Sequence, residues 1–253
     1  MAKLHICLRN VFGNTWLGGT LYIQNLARAL GSLPVEERNS IKLSVVVRAS
    51  NGSLVKDMLP HADSVHIDGI HKLVLSGACK RLAKIPFIPS HVLNLRKFDF
   101  VYPEVAGERA PYNWGGWIPD FQYRYLPQMF TQQQIDKFGS VYGAVARNAP
   151  VIILSSRMAQ EDFRHFFPEA VSRSTVMSFI SYLEPAWFTF NPEEIQKKYR
   201  LPDRFFLVSN QFWKHKDHGT LIEALGVLKE RGVRPVVVCT GSVDEHAGEY
   251  FKK

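Results

Sequence analysis

The sequence predicts an α/β fold whose strands pair in parallel. Four short apolar runs, rich in β-branched residues, have the character of buried strands: 4–8, 41–47, 151–154 and 236–240. Other segments place apolar residues every three or four positions, as amphipathic helices require, most clearly at 19–30 and 217–230. Strands that alternate with helices pair in parallel through right-handed crossovers. At 253 residues, the chain has room for one large domain or two small ones.

The first two thirds of the chain predict one complete Rossmann-like domain. A loop rich in Gly and Asn, 9–18, joins the first strand to the first helix, which Gly31 is placed to cap. Further strands are expected, in order, at 41–47, 65–67, 98–102, 151–154 and 174–180, and another short segment begins at residue 117. Two more helices are expected, one over 70–85 that prolines end, and one from Ser155-Ser156 to about 167.

A change in composition divides the chain near residue 184. Residues 185–192 carry aromatic residues and proline, which is typical of a linker. The elements expected beyond it are a helix at 193–199, a strand at 205–209, a helix at 217–230 and a strand at 236–240. The predicted organisation is therefore a first domain at 1–184 and the start of a second Rossmann-like domain at 193–253.

Composition and charge disfavour several classes of protein. The net charge of +8 is compatible with nucleic acid, an anionic small molecule or an anionic lipid surface. No compact Lys/Arg block or basic-aromatic RNA-binding pattern occurs, so nucleic acid is the least favoured of these partners. The three cysteines form no Cys-x-x-Cys pair, and no apolar stretch approaches the ~18 residues of a membrane span. The N-terminus becomes charged too early for a secretory signal, and the default expectation is a cytoplasmic protein.

The first candidate site is Gly18-Gly19, between the first strand and the first helix. In an open parallel sheet, ligands bind beyond the carboxyl ends of the strands. Glycine lets backbone N–H groups approach an anion, which the helix dipole also favours. The spacing of Gly13 and Gly18 matches neither Gly-x-Gly-x-x-Gly nor a Walker loop, so a tight turn is an equal alternative.

The second candidate site is the segment 114–130, in which aromatic and polar residues alternate between two prolines. Trp117 supplies a flat apolar face, and polar groups come from Asp120, Gln122 and Arg124. This combination suits a carbohydrate site, because sugars stack on aromatic faces and bind polar groups through their hydroxyls. The alternative is an ordinary surface loop in which Asp120 is a turn or cap residue.

The third candidate site is the segment 208–219, which joins a predicted strand to a predicted helix. Lys214 and Lys216 can offer ammonium groups to a diphosphate at the helix N-terminus, although a solvated basic loop is the ordinary alternative. His215 and His218 have no third ligand beside them at metal-ligand spacing, so we expect no metal.

These segments together resemble the family-4 glycosyltransferases, which have the GT-B fold of two facing Rossmann-like domains. Gly18-Gly19 and the helix after it are similar to the family's first loop and helix, where glycines approach the donor sugar and its diphosphate. Segment 117–130 resembles the family's acceptor-side segment. There Asp120 matches the family's aspartate, and Pro119 stands where a histidine is common.

The resemblance continues at the ends of later strands. The strand at 151–154, followed by Ser155, is similar to a strand that ends at a serine near the cleft. Lys216 matches the lysine that holds the donor diphosphate, and Gly241 matches the glycine after the next strand. Gln211 stands at the position of an arginine, for which Lys214 is placed to substitute.

The resemblance implies transfer of a mannose- or glucose-like hexose from a nucleotide-diphosphate sugar to a hydroxyl of a glycan or lipid-linked acceptor. It implies retained anomeric configuration, no metal, and no cofactor besides the sugar nucleotide, which is the substrate. Asp120 would orient a hydroxyl, and the acceptor side would include Trp117, Gln122, Arg124 and Ser155. The family's Glu-rich donor motif would lie beyond residue 253, so we expect a truncated chain that is inactive alone.

Two other function classes are alternatives. One is a non-catalytic module that binds a sugar or acceptor only. The other is an NAD-dependent epimerase or oxidoreductase, which is disfavoured because Arg48 stands where an acidic residue would follow the second strand.

The helix predicted over 70–85 carries a basic face. The residues that form it are Lys72, Lys80, Arg81 and Lys84. Such a face predicts peripheral contact with the anionic inner face of a membrane. A solvated helix that packs on the sheet is the more ordinary alternative.

Overall fold

The protein divides into two compact units, Met1–Tyr182 and Leu183–Lys253. The computed structural model describes residues 3–10, 12, 16–48, 58–68, 87–89, 94–106 and 110–241. The basic face predicted at Lys72, Lys80, Arg81 and Lys84, with the helix over 70–85, lies outside the described residues. The assignment of the two units to acceptor and donor domains stays a prediction.

The first unit contains eight described strands: β1 (Leu4–Asn10), β2 (Ile41–Arg48), β3 (Ser64–Asp68), β4 (Phe87–Pro89), β5 (Phe100–Tyr102), β6 (Gly115–Ile118), β7 (Val151–Leu154) and β8 (Ser174–Val176). Its described α-helices are α1 (Leu17–Gly31), α2 (Val35–Ser40), α3 (Gln122–Tyr125), α4 (Gln132–Asn148) and α5 (Arg157–Phe166). None of the helices in the described part of the chain has the length and apolar composition that crossing a bilayer would need.

Every strand pair in the first unit is parallel, which confirms the predicted α/β fold. One sheet has the order β4-β3-β2-β1-β5, and a second has the order β6-β7-β8. A single parallel bridge between Val101 of β5 and Trp114, just before β6, joins the two. The chain moves outward from β1 to β4 and then returns to β5 on the other side of β1, so a topological switch point lies between β1 and β5.

Two apolar clusters cover opposite faces of these sheets. Neighbouring strand residues point to opposite faces, and accordingly Cys7 belongs to one cluster and Leu8 to the other. In the same way, Ile152 belongs to the cluster that contains Cys7, and Ile153 belongs to the cluster that contains Leu8. Parallel strands buried on both faces explain why the strand sequences are continuous apolar runs instead of alternating ones.

Three helices of the first unit, α2, α3 and α4, were not predicted from the sequence. Helix α4 begins at a capping box, in which Thr131 and Gln134 each bond the other's backbone N–H. Helix α2 follows Pro34 and has two glutamates in its first turn.

Several predicted boundaries also need correction. The strand expected at 174–180 ends at Val176, and the one expected at 98–102 begins at Phe100. Gly31 is the last residue of α1 and not its cap, because Ser32 occupies the C-cap position. Glycine is required there because a Cβ at position 31 would collide with the side chain of His61.

The second unit has a smaller described framework. Its elements are β9 (Phe206–Ser209), β10 (Val237–Thr240), α6 (Pro192–Lys198) and α7 (His218–Glu230). The two strands pair in parallel. Asp217 caps α7 from the left-handed region, at φ 51°, and its carboxylate accepts from the backbone N–H of Thr220 at 3.3 Å.

Candidate functional site

The carboxyl ends of β1 and β5 border the switch point, which is where open parallel sheets bind ligands. Arg9, at the end of β1, forms an ion pair with Glu104, which follows β5. The Glu104 side chain is only 9% exposed. Asn10 is fully buried, and its amide nitrogen reaches the Met58 sulfur at 4.0 Å. Sequence reasoning missed this group, since Arg9 and Glu104 are 95 positions apart and belong to no local motif.

The candidate glycines lie in the first turn of α1, where they are covered by aromatic side chains. A Cβ on Gly19 would lie 2.6 Å from the Trp16 ring and 2.9 Å from Phe12, which is far too close. A Cβ on Gly18 would lie 3.3 Å from the indole nitrogen of Trp16. No side chain caps α1, and its first turn contains no acidic residue. The two glycines therefore let the Trp16 ring pack against the start of the helix.

Five aromatic residues form a cluster beside these glycines, which we call the aromatic cluster: Phe12, Trp16, Tyr22, Trp117 and Phe179. The Trp117 ring stacks against both the Trp16 and the Tyr22 ring, with centroid distances of 5.2 and 4.2 Å. Phe12 and Phe179 meet the Trp117 ring edge-on. Trp117 is only 6% exposed, so its ring packs within the aromatic cluster and offers little surface to a sugar.

Hydrogen bonds anchor two members of the aromatic cluster. The Trp117 indole N–H donates to the Ser155 hydroxyl at 2.9 Å, which brings together two residues predicted for the acceptor side. Ser156, and not Ser155, caps α5 by accepting from the backbone N–H of Ala159. The hydroxyls of Tyr22 and Tyr102 lie 2.7 Å apart. Burial raises the pKa of Tyr22 to about 12 and raises that of Tyr102 further, so both phenols stay protonated.

Asp120 follows β6 and is exposed at the carboxyl edge of the second sheet. Its carboxylate accepts from the backbone N–H of Gln122 at 3.0 Å. Such a bond is typical of a turn residue, which is the alternative role that the sequence left open for Asp120. The bond leaves the second carboxylate oxygen available, since a carboxylate has two acceptor oxygens. The pKa of Tyr142 is raised first by burial and then by the negative charge of Asp120.

Arg124 and Tyr125 of this segment contact a neighbouring helix, α5. The Arg124 guanidinium lies 5.2 Å from the ring centres of both Tyr123 and Phe166, the last residue of α5. The Tyr125 hydroxyl donates to Asp162 of the same helix at 2.5 Å. These contacts fasten α3 to α5, and they give Arg124 a structural partner that its sequence position did not indicate.

Two of the predicted residues of the second unit, Gln211 and Gly241, lie at the carboxyl ends of β9 and β10. Gly241 directly follows β10, and a Cβ there would collide with the Asn210 carbonyl and lie 3.2 Å from the Gln211 Cα. Glycine is therefore what lets the ends of the two strands approach each other, beside Gln211. Lys216 is exposed at the end of the single-turn helix Lys214–Lys216, which leads into α7.

The cap of α7 introduces a negative charge beside these lysines. Hydrogen bonds from Thr220 to the Asp217 carboxylate lower the pKa of Asp217 below its ordinary value, so it is ionised at neutral pH. Among the described residues, no group of three or more His, Cys, Asp or Glu side chains is placed to hold a metal ion. The structure therefore brings Trp117 to Ser155 in one unit, and Gln211 to Gly241 in the other.

Sequence comparisons find no matching family model and no matching curated protein. Solved structures do match, and one of them is a glycosyltransferase from Rickettsia africae. It superposes with a TM-score of 0.58 at 11% sequence identity, over 100% of this chain and 64% of that chain. This chain thus spans less than two thirds of the length of that protein. The protein has a Rossmann-like α/β fold with parallel sheets, similar to the fold of that glycosyltransferase.

Proposed function

We propose that the protein is a glycosyltransferase that moves a hexose from a nucleotide-diphosphate sugar to a hydroxyl of a glycan or lipid-linked acceptor. The observation that carries this proposal is the structural match, in which the whole chain superposes on a glycosyltransferase with a TM-score of 0.58. A fold of this kind serves many reactions, so the assignment also depends on the residues at the carboxyl edges of the strands.

On the donor side, the proposal assigns Lys216 and Lys214 to the diphosphate. Departure of the nucleoside diphosphate leaves negative charge that a fixed cation stabilises, which lowers the barrier of the transfer step. Lys216 is exposed and available for this role. Gln211 and Gly241 lie together at the ends of β9 and β10, where glycine lets the two strand ends approach each other, and the proposal includes both residues in the donor site.

On the acceptor side, the proposal assigns Asp120 and Ser155. Ser155 directly follows β7, and Asp120 lies two residues after the end of the neighbouring parallel strand β6, so both lie at one edge of the sheet. The Asp120 oxygen that is free of the turn can accept from a sugar or acceptor hydroxyl and hold it in position. Ser155 already accepts from Trp117, so its own O–H is the group that can donate to a substrate oxygen. Transfer with retained configuration and without metal belongs to the same proposal.

The experiment measures release of nucleoside diphosphate and glycosylated product from a panel of sugar nucleotides and acceptors, and it uses the full-length enzyme that carries this chain, because the resemblance implies that the 253 residues are inactive alone. We expect Lys216→Ala and Asp120→Asn each to lower turnover by at least tenfold, because each removes a contact made to the reacting groups. Matched controls are Lys229→Ala, another exposed lysine of the second unit, and Asp136→Asn, an exposed aspartate on α4. Both controls should leave turnover unchanged.

Three outcomes bear on the proposal. Near-normal turnover in Lys216→Ala and Asp120→Asn would reject the residue assignment. Binding of an acceptor without binding of any sugar nucleotide would favour a non-catalytic module. Reduction of NAD by the protein in the presence of a sugar nucleotide would reject glycosyl transfer altogether.

A further inference from the structure

The ion pair between Arg9 and Glu104 lies at the switch point but belongs to neither the donor nor the acceptor residues proposed so far. Arg9 is the second-to-last residue of β1, and Glu104 follows the end of β5 by two residues. Open parallel sheets bind their ligands beyond the strand ends at such a point. The pair is therefore placed where a ligand would meet it.

The part of this pair that reaches solvent is the cation. One carboxylate oxygen of Glu104, Oε2, accepts from Arg9, and the other, Oε1, accepts from the backbone N–H of Val105 at 2.8 Å. The Glu104 side chain is only 9% exposed, whereas the Arg9 side chain is 22% exposed. Arg9 donates to Glu104 through Nη1, and a guanidinium has five N–H donors in a rigid fork. The pair thus hides its acceptor oxygens and offers further donors.

The Tyr112 side chain adds a hydroxyl donor on the same face of β1. Its ring is partly buried against the apolar cluster that contains Cys7, and Cys7 and Arg9 are two positions apart on one face of the strand. Burial raises the pKa of Tyr112, the negative charge of Glu104 raises it further, and the positive charge of Arg9 opposes both. The phenol therefore stays protonated and can donate a hydrogen bond.

The pair also adjoins the strand that leads to the proposed acceptor residues. The Glu104 backbone N–H donates to the Gly115 carbonyl of β6 at 2.9 Å, and β6 ends two residues before Asp120. Two strand spacings of about 4.8 Å each separate β1 from β6. One saccharide of two or three rings is long enough to bridge that distance.

We propose that Arg9 binds an anionic group of the glycosyl acceptor, a carboxylate or a phosphate, which makes that acceptor an acidic saccharide. The inference rests on the proposed transfer function. A guanidinium fork matches two oxygens of a carboxylate or phosphate, and such charge-assisted bonds are roughly twice as strong as those to neutral hydroxyls. Glu104 holds the guanidinium in place before the ligand arrives, although its own charge offsets part of the attraction.

The test compares three probes that share one sugar: methyl glucoside, methyl glucuronide and methyl glucoside 6-phosphate. Calorimetric titration of the 253-residue chain should show at least one acidic probe binding at least tenfold more tightly than the neutral probe. The acidic probe that binds more tightly identifies the anionic group as carboxylate or phosphate.

Two variants separate binding from folding. Arg9→Gln combined with Glu104→Gln replaces the ion pair by neutral side chains and leaves no buried charge unpaired, so the fold should persist while the preference for acidic probes is lost. Glu104→Gln alone keeps the guanidinium and removes the charge that opposes the ligand. Acidic probes should bind this variant at least as tightly as the unchanged protein.

The matched control is Arg38→Gln combined with Asp63→Asn. The Arg38 side chain is also 22% exposed and paired with a carboxylate, but Asp63 directly precedes β3, at the amino edge of the sheet. This control should keep the full preference for acidic probes.

Binding is read separately from transfer, so the two proposals fail separately. Loss of sugar-nucleotide turnover with an intact, Arg9-dependent preference would reject the function and keep the anionic site. Equal affinity for the three probes, or a preference that the double glutamine variant retains, would overturn the inference. So would inorganic phosphate or acetate that binds as tightly as the matching acidic probe, because the site would then hold a free ion and not a saccharide.

Discussion

Gly116 decides how closely α4 approaches the sheet. A Cβ at this position of β6 would collide with the Val145 side chain and lie 3.3 Å from the Ala149 Cβ. Val145 and Ala149 are both fully buried at the end of α4, so neither has room to move away. The position of β6 matters because the same strand carries Trp117, and Asp120 follows it.

We expect Gly116→Ala to lower the free energy of unfolding by about 1–3 kcal/mol, since it overpacks a filled interior. Gly139→Ala is the matched control, because nothing lies within 4 Å of the added methyl group in the same helix-and-sheet layer. The control should be neutral or raise stability by about 0.5–1 kcal/mol, as alanine is the better helix former. Chemical denaturation measures both, and equal effects of the two substitutions would contradict the packing explanation.

At the level of elements, a chain of polar side chains crosses three neighbouring strands. His5 of β1 shares a hydrogen bond of 2.8 Å with Ser44 of β2, which lies 2.7 Å from Ser64 of β3. Ser64 in turn lies 3.3 Å from the His66 ring. The pKa of both histidines is lowered, in each case mainly by burial, and then by Lys42 for His5 and by His5 for His66.

These lowered pKa values predict that stability falls as the solution is acidified below pH 6.5, the ordinary histidine value. Below that pH the unfolded chain takes up protons that the folded protein does not, which favours unfolding until the folded-state pKa is reached. Above pH 6.5 both states are neutral at these positions, and the effect disappears. Denaturation midpoints measured between pH 8 and 5 check this.

The double substitution of His5→Gln and His66→Gln is the companion experiment. Glutamine can keep a hydrogen bond to the serines without titrating. The loss of stability between pH 6.5 and 5 should therefore become shallower in the double variant. An unchanged profile would assign the acid sensitivity to other groups.

Helices and strands could be predicted where the sequence signal lies within a few neighbouring residues. The strand at Val151–Leu154 and the N-terminal cap of α5 follow directly from a short apolar run and Ser156. Helix α4 has a local signal too, in the capping box of Thr131 and Gln134, so it was predictable from the sequence although it was not predicted. The extent of each element was harder to predict, because tertiary contacts decide where a strand stops.

The whole molecule combines two units with unequal interiors. In the first unit many large side chains are fully buried, among them Trp114, Phe121 and Phe163. In the described part of the second unit, the buried side chains are those of Phe212 and His218. Phe206 and Leu207, on opposite faces of β9, are 67% and 60% exposed. Because the side chains of β9 are so little buried, this strand contributes little free energy against local unfolding of the second unit.

Hydrogen exchange should separate the two units clearly. We expect backbone amides of β1, β2 and β7 to exchange only through global unfolding, and those of β9 and β10 to exchange at least a hundredfold faster. Mass spectrometry of peptides from each strand provides the measurement. Equal protection of β7 and β9 would show that the second unit is stabilised by contacts beyond those of the described residues.

The candidate site shows where sequence reasoning reaches its limit at this scale. Residue types that carry their own chemistry, such as Lys216 and Asp120, can be picked out in the sequence, and their roles stay predictions. The stacking of Trp117 on Trp16 and Tyr22 was not predicted, because it joins residues about a hundred positions apart. The same holds for Arg9 with Glu104. Only the folded sheet brings such residues together.

The aromatic cluster also gives the protein a built-in optical label. Two indoles that lie nearly parallel, at an angle of 14° and a centroid distance of 5.2 Å, couple their electronic transitions. The near-ultraviolet circular dichroism of the protein therefore depends on how Trp16 lies against Trp117. Any ligand that displaces Trp16 from the glycines of α1 changes that signal without a dye, an isotope or a substrate analogue.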